Sequence, residues 1–111
     1  MSIGQYVACF FGALFFTNAI PHFVSGLMGR SFQSPFARPR GEGHSSSTLN
    51  VWWGAFNFAA AYVLLVRVVA FDLRDWRHVL VAGGASLAGA LWLARRFGRF
   101  NGGNIAETLA R

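Results

Sequence analysis

The chain has no lysine, only four acidic residues, a single cysteine and three prolines among 111 residues. Each shortage excludes something. With one cysteine, Cys9, no intrachain disulfide forms and no thiolate-rich zinc site is available. Cys9 falls in an apolar run and is expected to behave as a small core residue. The acids Glu42, Asp72, Asp75 and Glu107 all lie outside the central parts of the apolar stretches. That argues against a carboxylate proton relay and against a membrane-embedded magnesium site. His22, His44 and His78 lack a metal-ligand spacing, and neither a Walker A sequence nor a nucleophile elbow occurs. No cofactor is expected. Charged residues make up 13% of the chain, roughly half of the ~25% usual in soluble domains. A disordered tail and a conventional soluble enzyme are thereby excluded.

What the sequence has in abundance is apolar surface, at 54% of residues, more than a soluble domain of this length can bury. It is gathered into three stretches, over residues 5–28, 49–71 and 78–97. Each is near the ~20 residues needed to cross a bilayer as a helix, the only open-chain structure that satisfies its own backbone there. The expected fold is an all-α integral membrane protein, a single membrane domain over residues 1–111 with three transmembrane helices. A long loop over 30–48 joins the first two helices, and a C-terminal tail occupies 98–111. No arginine precedes Arg30 and the first run is too long for a signal-peptide core, so the first span is expected to remain.

All ten basic residues are arginines, giving a net charge of +6. They lie mostly at the ends of the apolar stretches, where lipid phosphates rather than nucleic acid are the expected partners. Arg30, Arg38, Arg40, Arg95, Arg96, Arg99 and Arg111 fall on one side, against Arg67, Arg74 and Arg77 on the other. The positive-inside rule then predicts an external N-terminus, with the long loop and the C-terminus cytoplasmic; the expected membrane is a bacterial inner membrane.

Polar residues within the spans are the most informative positions. Asn18, His22 and Ser25 share one helix face at spacings of four and three, beside Pro21, which frees the Thr17 carbonyl. Asn50, Gly54, Asn57 and Ala61 form a matching stripe in the second span. At ~1.5 Å per residue, Asn57 and His22 lie at similar depths. Asn18, His22, Ser25, Asn50 and Asn57 are thus the candidate ligand-binding residues, with His22, Asn18 and Asn57 expected to meet in a pocket opening towards the loop. The same residues also serve as interhelical hydrogen-bonding glue in membrane proteins. An ionisable group at membrane depth keeps the functional reading alongside it.

Three further patterns stand beside this pocket. Ala82, Ser86, Ala90 and Ala94, and in the first span Gly4, Ala8 and Gly12, form ridges suited to close helix packing. Trp52, Trp53, Trp76 and Tyr6 fall near span ends, as interfacial anchors, with Trp52 or Trp53 alternatively lining the pocket mouth. In the loop, Phe32 and Phe36 are expected to insert at the interface while Arg38 and Arg40 meet an anionic headgroup. In the tail, Asn104 and Glu107 have the spacing of a helix cap ahead of a short surface helix to Arg111.

The sequence supports three functional readings. The first is a small oligomeric or accessory membrane subunit with a polar pocket around His22, partnered by the bilayer and by its own copies or another membrane protein. The second is a small-molecule transporter or channel, and the third a lipid- or quinone-modifying enzyme using His22 as acid or base.

Overall fold

A computed structural model describes residues 1–105. The expected cap at Asn104 and Glu107 and the surface helix to Arg111 extend beyond these described residues. Three helices dominate the chain: α1 (Ile3–Leu27), α2 (Ser47–Tyr62, continued by a π-helical segment Val63–Val68) and α3 (Trp76–Asn101). All three are long and apolar enough to cross a membrane. Each span starts two residues before its expected limit; the first two end short of theirs, at Leu27 and Val68, while α3 adds a turn at its C-terminal end before Gly102 stops it at φ 84°. Only a residue tolerating that left-handed conformation ends a helix this way cheaply.

The segment between α1 and α2 is more ordered than a loop. Strands β1 (Phe32–Gln33) and β2 (His44–Ser45) pair antiparallel, with Phe32 opposite Ser45 and Gln33 opposite His44. The Ser34 and Ser45 hydroxyls bond across this hairpin. Phe32, expected at the membrane interface, instead turns inward, its ring 5.5 Å from His22 and 4.7 Å from Phe97. The two-strand pairing holds its side chain over the bundle, so it has no reach outward. Phe36 does remain exposed.

Local capping fixes the helix starts. Ser2 accepts from the Gln5 amide while the Gln5 side chain accepts from the Ser2 amide, a reciprocal box. Ser46 caps α2 and Asp75 caps α3. Arg77 donates to both Asp75 oxygens and holds that carboxyl at about 2, below its ordinary value. That stabilisation is complete above the ordinary carboxylate range and fades only as pH falls through about 2. In the same turn His78 Nδ1 accepts from the Asp72 amide at 2.9 Å.

The chain's apolar side chains mostly face outward. Phe10, Phe16, Ile20 and Val24 on α1 and Leu80, Leu87 and Leu91 on α3 are all exposed. The buried face is built from small residues: Ala8, Gly12, Ala13, Ala19 and Gly26 on α1, Gly54 and Ala61 on α2, Ala85 on α3. Cys9 is fully buried among Ala8, Val69 and their neighbours, in the small-residue role expected for it. The expected ridge on α3 is used only in part, since Ser86 approaches the Ala13 carbonyl while Ala90 and Ala94 stay exposed.

Two glycines set the approach of α1 to α2. A Cβ on Gly54 would lie 2.7–2.9 Å from the Cβ, N and Cα of Phe23, and one on Gly26 would lie 2.6 Å from the Ser47 carbonyl oxygen. In both cases backbone is close, so no side-chain rotation relieves the contact. Gly54→Ala is therefore expected to force the helices apart and destabilise the protein by about 1–3 kcal/mol. Gly83→Ala, with nothing within 4 Å of the added carbon, should leave stability unchanged or raise it by up to about 1 kcal/mol. Equilibrium unfolding in mixed micelles separates the two; equal effects would count against this helix crossing.

Candidate functional site

The polar residues of α1 and α2 meet at the hairpin end of the bundle, where a polar atom buried without a partner is costly. Asn50 is fully buried, and its amide nitrogen lies 3.2 Å from the Phe32 carbonyl, 3.2 Å from that of Ser45 and 3.0 Å from that of Ser46. Its two hydrogens are shared among three groups that only accept. Flipping the amide would set oxygen against oxygen three times over, so its orientation is determined by the network.

That orientation decides the chemistry of His22. Asn50 Oδ1 is left facing His22 Nδ1 at 2.9 Å, and an oxygen there accepts. Neutral His22 therefore carries its proton on Nδ1 and presents the Nε2 lone pair, which has no partner among the described residues. The ring is 3% exposed and held edge-on by Phe32, Trp53 and Phe97, with centroids 5.5, 6.3 and 5.8 Å away.

One turn deeper the same logic repeats. Asn57 donates to the Trp53 carbonyl at 2.7 Å, so its oxygen accepts from Asn18 Nδ2 at 3.1 Å. Asn18 Oδ1 remains without a partner among the described residues. Beyond this level Gly12 packs against Leu64 and Leu65, where a Cβ would lie 2.8 Å from Leu65 Cγ. The polar layer ends there.

A cavity of about 200 Å³ opens beside this layer, bounded by α1, the hairpin and the last turns of α3. Asn18 and His22 form one wall and Trp53 another; the Trp53 indole N–H is buried with no partner among the described residues. Gln33, Ser34 and Gly41 come from the hairpin, and Trp92, Phe97 and Arg96 from α3. Arg96 lies 5.8 Å from the Trp92 ring and 5.6 Å from that of Phe100, and reaches the Gly41 carbonyl at 3.4 Å. No carboxylate pairs with it among the described residues. A reciprocal pair of amides, Gln33 with Asn101 at 3.0 Å in both directions, ties the hairpin to the end of α3.

Of the candidate residues, Asn18 and His22 reach this cavity, while Asn57 borders a neighbouring hollow with Asn18 and Trp53. Asn50 stands behind His22 and orients it. Ser25 does not join them: its carbonyl accepts from the Arg30 amide at the end of α1. Arg38 and Arg40 are exposed on the hairpin tip and do not line the cavity. The turn through Gly41, at φ 73°, follows them, and the cation in the cavity wall is Arg96. Gln33, Ser34 and Arg96 were not singled out by the sequence pattern, although a Trp53 at the pocket mouth was one of its alternatives.

Among the described residues no group of His, Cys, Asp and Glu could hold a metal ion. The site thus offers acceptors on His22 and Asn18 and donors on Trp53 and Arg96, an inventory for binding. No family model, curated protein or solved structure matches the chain.

Asn50→Leu removes the amide donors shared by the Phe32, Ser45 and Ser46 carbonyls and the acceptor facing His22, with an expected loss of roughly 2–4 kcal/mol. Nitrogen NMR of His22 at neutral-form pH should show the proton on Nδ1. A signal from the Nε2-protonated tautomer would overturn the assigned orientation of Asn50.

Proposed function

We propose that this chain is an integral membrane protein that acts as a small accessory subunit by holding an amphiphilic molecule in the cavity around His22. Three helices of membrane-crossing length support the placement in a bilayer. The arginines at the hairpin end, Arg30, Arg38, Arg40, Arg95, Arg96 and Arg99, outnumber Arg67, Arg74 and Arg77 at the other end. By the positive-inside rule the cavity end is cytoplasmic.

One observation carries the binding reading. The Trp53 N–H is buried without a partner among the described residues, beside a histidine whose own lone pair is held open by Asn50. A buried donor left unpaired costs about 1–3 kcal/mol, and a polar ligand that accepts from Trp53 and donates to His22 Nε2 serves both groups. Chemistry is not needed to explain the arrangement, since no acid among the described residues accompanies His22 in the cavity wall. A transport path is also unsupported, because the polar layer ends at the packing of Gly12 against Leu65.

Protein extracted with its surrounding lipid in polymer nanodiscs should carry a stoichiometric adduct of constant mass in native mass spectrometry. Trp53→Phe, which removes the N–H and keeps a ring, is expected to lower its occupancy about tenfold, the equivalent of ~1.4 kcal/mol. Retention of the adduct at full occupancy in both Trp53→Phe and His22→Ala would rule out this site.

A further inference from the structure

Beside the polar cavity lies an apolar groove of about 330 Å³ between α1 and α3, lined by Thr17, Ile20, Pro21, Phe32, Ala90 and Ala94 together with Leu93 and Phe97. Leu93 and Phe97 border both spaces. On α1 the two sets of lining residues interleave, Asn18 and His22 facing the cavity and Thr17 and Pro21 facing the groove. A molecule with a polar head and an apolar tail therefore meets matching surfaces on either side of the Leu93–Phe97 ridge. The groove's outer wall, Ile20, Ala90 and Ala94, is exposed on the side of the bundle, so a chain enters it sideways.

The head is defined by what the cavity lacks as much as by what it holds. Arg96 is half-buried, flanked by two aromatic rings, and has no carboxylate partner among the described residues. None of the described residues around the cavity is acidic, so none of them receives an ammonium group. Arg96 and the Trp53 N–H call for an anion. His22 Nε2 and Asn18 Oδ1 accept hydrogen bonds and repel that same anion, so the ligand must also bring a donor. At ~30 Å³ per water, the cavity has the volume of about seven waters, room for a small headgroup.

Resting on the binding function proposed above, we propose that the occupant is an anionic phospholipid whose headgroup carries a free hydroxyl. Its phosphodiester faces Arg96 and the Trp53 N–H, its hydroxyl donates to His22 Nε2 or Asn18 Oδ1, and one acyl chain starts along the α1–α3 groove.

The test reconstitutes the full chain in nanodiscs of phosphatidylcholine doped with phosphatidylglycerol, phosphatidic acid or phosphatidylserine, and reads bound lipid by native mass spectrometry. Phosphatidylglycerol is expected to be retained about tenfold over phosphatidylcholine and several-fold over phosphatidic acid, which lacks the headgroup hydroxyl. Arg96→Gln should abolish the first preference, and Trp53→Phe should weaken it while preserving the fold. Equal retention of all the anionic lipids, or a preference that survives Arg96→Gln, would show attraction to the outer arginines alone and overturn the proposal. Binding of free glycerol phosphate in neutral nanodiscs as tight as that of the lipid would overturn the lipid source. If a different, uncharged amphiphile such as a quinone occupies the native preparation and is lost in Trp53→Phe, the binding function stands and the headgroup assignment falls. If no preparation holds any ligand, both fall.

Discussion

The carboxamide of Asn50 is the group on which the rest of the architecture depends. It sits one turn into α2, fully buried, and joins three separately encoded features: the root of the hairpin through Phe32 and Ser45, the N-terminal turn of its own helix through Ser46, and α1 through His22. An amide is suited to this because it offers donors and an acceptor on fixed, opposite sides. A carboxylate in its place would have no hydrogen for the three carbonyls, and an alcohol would reach only one or two of them. The glycine contacts at Gly26 and Gly54 bring α1 and α2 near enough for the His22 bond to form, and the bond in turn fixes which ring nitrogen faces the cavity. Packing and hydrogen bonding thus specify one another here.

Much of this was legible in the sequence because helix periodicity is a local property. The stripes Asn18–His22 and Asn50–Gly54–Asn57 could be drawn without knowing the fold, and the structure joins them by direct bonds. The pairing differs in detail: His22 meets Asn50 and Asn18 meets Asn57, where His22, Asn18 and Asn57 had been expected to converge. The offset follows from the register of the two helices at Gly26 and Gly54, which depends on backbone contact and leaves no periodic trace. Ser25 shares the face of His22 by angle alone, yet it lines neither hollow, and its carbonyl takes the Arg30 amide at the end of α1.

The hairpin and α3 were less legible for a related reason. Gln33 reaches Asn101 across 68 positions of sequence, and Arg96 enters the cavity only because the last turns of α3 lie beside Gly41. Arginines at the end of a span all look alike in sequence, whether they point to solvent, as Arg38 and Arg40 do, or into a wall. The π-helical close of α2 was also silent. It shifts the backbone bonds so that the Val69 amide meets the Leu64 carbonyl at 3.1 Å, and ends with Ala70 at φ 54°. Nothing in the run Val63–Val68 distinguishes it from an ordinary apolar helix.

The reciprocal amide pair between Gln33 and Asn101 has a consequence for biosynthesis. A ribosome delivers α1, the hairpin and α2 first, and every bond made by Asn50 and Asn57 lies within that portion. This part precedes α3 in the vectorial order of synthesis. The wall that carries Trp92, Arg96 and Phe97 arrives last, and Asn101 follows it by a single turn. The amide pair therefore works as the closing clasp of translation: it engages only after the residues that complete the cavity have all emerged.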